Sequence, residues 1–80
     1  MYLSIAIKSR INELCNQNNI SINKLATICG ITQSTLANMN ARPTTNLTVL
    51  TIMRICRGLE ISLQDFFDSP LFNIDKLEDD

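Results

Sequence analysis

Histidine and tryptophan are both absent from this chain of 80 residues. Without histidine the commonest general base and the commonest zinc ligand are gone together. Aromatic residues make up only 5% of the sequence, so the core has to be built from Ile, Leu, Val and Met. Two glycines and two prolines leave little room for the sharp turns of an all-β protein. No run approaches the roughly 18 apolar residues of a membrane span. The first positive charge, Lys8, follows the apolar start instead of preceding it, which does not suit a signal peptide. The cysteines Cys15, Cys29 and Cys56 are odd in number and widely spaced, unlike a disulfide framework or a zinc knuckle. They read as small apolar core residues of a protein in the reducing cytoplasm.

What is present is a globular composition, 45% hydrophobic, with a formal net charge of −1. That small net value hides an asymmetry. Residues 1–67 carry six basic and three acidic residues, net +3, whereas residues 68–80 carry Lys76 against five acids, net −4. The reading is one domain over 1–67 followed by an acidic tail over 68–80. The tail is either a frayed, solubilising end or, through Leu71, Phe72, Ile74 and Leu77, a help to the docking of a second subunit.

Apolar spacing gives five helices, roughly 5–18, 22–29, 33–40, 49–59 and 63–67, with no useful stretch of period-two alternation. Ile7, Ile11, Leu14 and Cys15 share one face of the first, with Ser4 as its N-cap and Asn16 to Asn19 as its exit. Ser21 caps the second, where Ile22, Leu25, Ala26 and Cys29 face inward and Gly30 supplies a left-handed stop. Thr32 caps the third, which turns Leu36 and Met39 to the core, and Pro43 forbids a helix through the loop that follows. Thr48 caps the fourth over Ile52, Ile55, Cys56 and Leu59. Ser62 with Asp65 forms a capping box for Leu63, Phe66 and Phe67, and Ser69-Pro70 starts one further turn. The fold expected is all-α, a compact bundle with short connections.

Two short helices joined through a glycine turn between Ser21 and Asn40 form a helix-turn-helix unit. Ala26 is small where the second helix crosses closely, and Gly30 redirects the chain within one residue. On the outer side of 33–40 lie Gln33, Ser34, Ala37 and Asn38, uncharged and mostly hydrogen-bonding. Gln and Asn pair two-pronged with adenine N6 and N7 in the major groove, and Ser reads several base edges. Long Glu and Lys side chains, the ordinary solvated helix surface, are missing there.

Residues 7–67 resemble the Cro/repressor-type helix-turn-helix domain of the XRE family, a five-helix, lambda-repressor-like DNA-binding module. The matching runs are Ser21-Ile22-Asn23-Lys24-Leu25-Ala26, Gly30-Ile31-Thr32-Gln33-Ser34-Thr35-Leu36, Thr51 to Leu59, and Ile61 to Phe67. The resemblance implies a transcriptional regulator whose segment 33–40 enters the major groove of double-stranded DNA, acting as a homodimer on a palindromic operator. By motif position Gln33, Ser34 and Asn38 contact bases, while Ser21, Lys24, Thr32, Arg42, Thr44 and Thr45 contact phosphates. It implies no cofactor, no membrane and no small-molecule ligand. Three features depart from the family pattern. A partly buried Arg–Glu pair is replaced at both places, by Cys15 and Asn40, which leaves no charge unpaired. The usual Gln opening the second helix is Ile22. The Gly usual after the third helix is replaced by Ala41-Arg42, and the one usual after the fourth comes early, as Gly58, with Glu60 following.

Catalysis needs a nucleophile beside a base, or paired carboxylates in a cleft, and the residues offer neither. The competing function is a protein-binding adaptor or antitoxin-like module on the same scaffold, using exposed apolar residues such as Leu50, Met53, Leu71 and Phe72.

Overall fold

The computed structural model describes residues 1–32 and 47–79. Among these are four α-helices: α1 (Leu3–Gln17), α2 (Ile22–Cys29), α3 (Val49–Leu59) and α4 (Leu63–Phe67). Two single turns of 3-10 helix follow, Pro70–Phe72 and Ile74–Lys76. No strand is present among the described residues, and one isolated parallel bridge joins Tyr2 to Glu78. The helix expected over 33–40, with Leu36 and Met39, lies outside the described residues.

Three helices start where a local side chain caps them. Ser21 accepts from the Lys24 N–H at 3.1 Å, Thr48 from the Thr51 N–H at 3.1 Å, and Ser62 from the Asp65 N–H at 3.0 Å. At α4 the Asp65 carboxylate accepts in return from the Ser62 N–H, completing the box. The first helix differs from its expected bounds of 5–18. It begins at Leu3, its N-cap Tyr2 makes no side-chain bond, and Ser4 lies buried inside the first turn. The physical reason is tertiary: the Glu78 N–H donates to Met1 O at 2.9 Å beside the Tyr2–Glu78 bridge, so a distant segment fixes this end.

Ile7, Ile11, Leu14 and Cys15 of α1 meet Leu25 and Ala26 of α2, Ile52, Ile55 and Cys56 of α3, and Phe66 of α4 in one core. Of the large apolar residues of α4, Phe66 is buried, whereas Leu63 and Phe67 both stay 39% exposed. Phe66 is the side chain by which α4 enters the core. Phe67 instead meets the rings of Phe66 and Phe72 edge-on, each at 4.9 Å. Residues 68–79 hold local structure, including the turn expected at Ser69-Pro70. Ser69 caps the first 3-10 turn, which packs on α1, and Asn73 caps the second.

Arg10 is the charge that enters this interior, only 8% exposed. Its Nε donates to Phe66 O at 2.7 Å and its Nη2 to Asp65 O at 2.8 Å, while Nη1 meets the Glu13 carboxylate. Those carbonyls belong to the last turn of α4, where helical acceptors lack intrahelical donors. A cation there also faces the negative end of the helix dipole.

The two glycines do different work. Gly30 takes φ +67° and nothing crowds its missing Cβ, so its freedom of backbone angle is what ends α2. A Cβ on Gly58 would lie 2.4 Å from Cys29 Sγ and 3.2 Å from both Cys29 Cα and Ile28 Cγ2. Gly58 therefore lets α3 pass close to α2. With that glycine committed to the crossing, the left-handed cap of α3 falls to Glu60, at φ +59°.

Arg10→Leu leaves Phe66 O without its donor and Asp65 O with the Asp68 N–H alone, and should lose about 2–4 kcal/mol in urea unfolding. Gly58→Ala and Glu60→Gly should move stability in opposite directions. Ala gains about 1 kcal/mol of helix propensity but meets overpacking of about 1–3 kcal/mol, and adding Cys29→Ala should recover most of the loss. Glu60→Gly relieves a left-handed non-glycine residue and should gain about 0.5–1 kcal/mol, read as a higher urea midpoint at unchanged slope.

Candidate nucleic-acid interface

Leu25 and Ala26 turn inward from α2, and Ile22 and Cys29 pack beside them, so the helix presents Asn23, Lys24 and Thr27 to solvent. Ser21 is exposed at its N-terminal end; accepting from the Lys24 N–H uses a lone pair and leaves the hydroxyl proton for an outside acceptor. Thr27 donates its hydroxyl back to Asn23 O at 3.1 Å, which keeps that side chain against the helix. At the other end the Ile31 N–H donates to Ala26 O at 3.0 Å across the left-handed Gly30, a tight reversal that leaves Thr32 exposed. Ile31 packs on the core at this corner.

Ser21, Lys24 and Thr32 are thus the expected contact residues that the structure describes, and all three are exposed. Ser21 and Lys24 lie together at the start of α2, and Thr32 lies beyond its end, about 12 Å along an eight-residue helix. Gln33, Ser34, Asn38, Arg42, Thr44 and Thr45 lie outside the described residues.

Sequence reasoning gave no role to Asn23 and Thr27, which share the outer face with Lys24; their i, i+1, i+4 spacing is the signal that finds them. It also passed over the distribution of charge inside the first 67 residues. Between Glu13 and Glu60 no acidic residue occurs, while Lys24, Arg42, Arg54 and Arg57 all fall there, making 14–59 net +4. Lys24, Arg54 and Arg57 are exposed. The remaining residues carry Lys8, Arg10 and Lys76 against all eight acids, net −5. One part of the chain is thus wholly free of carboxylates, the condition for attracting a polyanion despite an acidic total.

The model of the Cro/C1-type HTH DNA-binding domain matches residues 10–70. The chain is 31% identical over 58 residues to the SPbeta prophage-derived uncharacterized HTH-type transcriptional regulator YopS of Bacillus subtilis (strain 168), covering 72% of this chain and 78% of that protein. It is also similar to the crystal structure of the prophage Lp1 protein 11, with a TM-score of 0.80 and 36% identity over 91% of this chain and 97% of that one.

Three thiols lie behind this surface, all free. Burial pushes the thiols of Cys15, Cys29 and Cys56 up, and for Cys29 the neighbouring Cys15 and Cys56 add to it. Cys29 Sγ is engaged with Ile55 O at 3.7 Å. Among the described residues no group of three His, Cys, Asp or Glu side chains could hold a metal ion, and no helix is long and apolar enough to cross a membrane. A thiol raised in the folded state binds its proton more tightly there than in the unfolded chain. Its contribution to stability is whole below the unfolded thiol range of about 8.5 and is lost as pH rises through the folded value. The urea midpoint should therefore fall above about pH 9, and the triple Cys→Ala variant should flatten that fall. Iodoacetamide at pH 7.5 should label the native protein slowly and the urea-unfolded chain fast.

Proposed function

Since this chain belongs to the family of Cro/C1-type helix-turn-helix DNA-binding domains, we propose that it is a sequence-specific regulator of transcription that binds double-stranded DNA as a homodimer on a palindromic operator. Segment 33–40 enters the major groove, where Gln33, Ser34 and Asn38 read base edges. Ser21, Lys24, Thr32, Arg42, Thr44 and Thr45 hold the phosphates on either side and set the register of the reading segment.

The observation that carries this reading is the geometry around α2. Ser21 caps its start beside an exposed Lys24, the left-handed Gly30 reverses the chain at its end, and Thr32 emerges exposed where the reading segment begins. The carboxylate-free span 14–59 supports it, because a carboxylate near the phosphates would cost affinity at every sequence. About 2–4 charges neutralised per subunit, at about −0.9 per phosphate, give a two-subunit complex a salt slope of roughly −4 to −7. So modest a basic surplus holds one subunit weakly, and two half-sites about one helical turn apart supply the remaining affinity and the symmetry of the site.

Selection of bound duplexes from a random pool should return a consensus with two related half-sites, whose centres lie about 10 bp apart. On that site, measured by fluorescence anisotropy, Gln33→Ala should lose about 1–3 kcal/mol, with little change on a scrambled duplex. Lys24→Ala and Arg42→Ala should weaken both duplexes alike and make the salt slope shallower by about 1 per contact removed. Equal losses on both duplexes from Gln33→Ala would remove its reading role, and the absence of salt-sensitive binding by the unaltered protein would remove the function.

A further inference from the structure

The solvent face of α3 joins apolar and cationic side chains in one stripe. Leu50, Met53, Arg54 and Arg57 follow each other at i, i+3, i+4 and i+7, opposite the buried Ile52, Ile55 and Cys56. Leu50 is 54% exposed, and beside it Val49 is 67% exposed. Arg57 Nη2 leans on Met53 Sδ at 3.9 Å, which lays the guanidinium along the stripe. The ion pairs among the described residues involve Met1 with Glu78 and Arg10 with Glu13, so neither arginine of α3 meets a carboxylate there. A surface of this kind suits a partner that is acidic and apolar at once.

The same chain carries such a segment. Residues 68–80 are net −4, Asp68, Asp75 and Asp79 are exposed without a basic partner among the described residues, and Ile74 between them is 80% exposed. Within one molecule this segment is committed elsewhere, since its first turn packs on α1 and Glu78 pairs with the backbone of Met1.

We infer that the Leu50–Arg57 face of α3 docks the acidic 68–80 segment of a second copy of this chain. Arg54 and Arg57 face Asp75 and Asp79 across the contact, and Ile74 covers Leu50 and Val49. The charge division of the chain, +4 over 14–59 against −5 elsewhere, favours a reciprocal approach in which the 68–80 segment of each copy meets α3 of the other. One helix face against a dozen residues is a contact of the smallest size class, so the pairing is transient and strongly salt-dependent. The inference deepens the two-copy part of the proposed function and does not depend on DNA binding.

Sedimentation of the full chain without DNA tests it. At low salt the protein should self-associate in the micromolar range or weaker, and raising the salt to about 0.5 M should weaken this at least about tenfold. Arg54→Glu with Arg57→Glu, and separately Asp75→Lys with Asp79→Lys, should each abolish association while the circular dichroism stays unchanged. Mixing the two variants should restore it, because each then supplies the charge the other now needs. Ile74→Ser should weaken association at every salt concentration. Association that ignores both reversals overturns the inference and leaves a homodimer through another surface. A free protein that stays monomeric at all salts, yet occupies its selected DNA site two copies at a time, overturns the inference and leaves the proposed function intact. Reversal at Arg54 and Arg57 that lowers DNA affinity alone would assign these arginines to the nucleic acid and end the proposal.

Discussion

The guanidinium of Arg10 ties together parts of the chain that local rules cannot join. It sits in the core-facing side of α1, yet its hydrogen bonds go to the carbonyls of Asp65 and Phe66, more than fifty residues away. A five-residue helix has almost no stability of its own, because nucleation costs more than a single turn returns. α4 exists because three terms act on it together: the Ser62–Asp65 box at its start, Phe66 in the core and the Arg10 cation at its end. The aromatic contact from Phe67 to Phe72 then brings the following 3-10 turn onto α1. That turn precedes the segment that reaches Met1 and Tyr2, so the start of α1 depends at one remove on a side chain within α1 itself.

The close passage of α2 and α3 is a second constraint, and it bears directly on the surface assigned to DNA. α2 can expose its outer face to a ligand only if its inner face is firmly held, and Gly58 allows that by removing the Cβ that would otherwise meet Cys29. A glycine can serve either as a spacer or as a left-handed cap, and the geometry at 58 uses it as a spacer. Glu60 consequently adopts an angle that glycine or asparagine tolerates better. The displaced glycine, which looks like an irregularity against the family pattern, is a consequence of where the helices cross.

What could be read in the sequence was what is decided locally. Ser21, Thr48 and Ser62 cap α2, α3 and α4 as their spacing predicts, and Gly30 takes the left-handed angle that its place after Cys29 demands. The start of α1 was misread because no local side chain decides it; Ser4 has the chemistry of a cap but lies buried in the first turn. For residues 68–79 the Ser69-Pro70 turn was legible from its cap, whereas the seating of Phe72 against Phe66 and Phe67 is tertiary and leaves no local signal. Arg10 gave no sign at all. On a helical wheel it is one more charge beside an apolar stripe, and only the arrival of α4 turns it into a buried donor. Of the candidate site, the exposure of Ser21, Lys24 and Thr32 was legible because caps and turn residues are exposed by the act of capping and turning.

A total charge of −1 says little about a partner when the charges are sorted by position. Over 14–59 every ionised group is a cation, and over the rest carboxylates exceed cations by five. At a Debye length of about 8 Å, short against extents of 33 × 25 × 22 Å, a phosphate beside α2 responds chiefly to the charges near it. Binding to a polyanion is therefore governed by the local surplus and not by the total. A span of 46 residues without a carboxylate is thus what fits a chain of acidic total to a DNA-binding family.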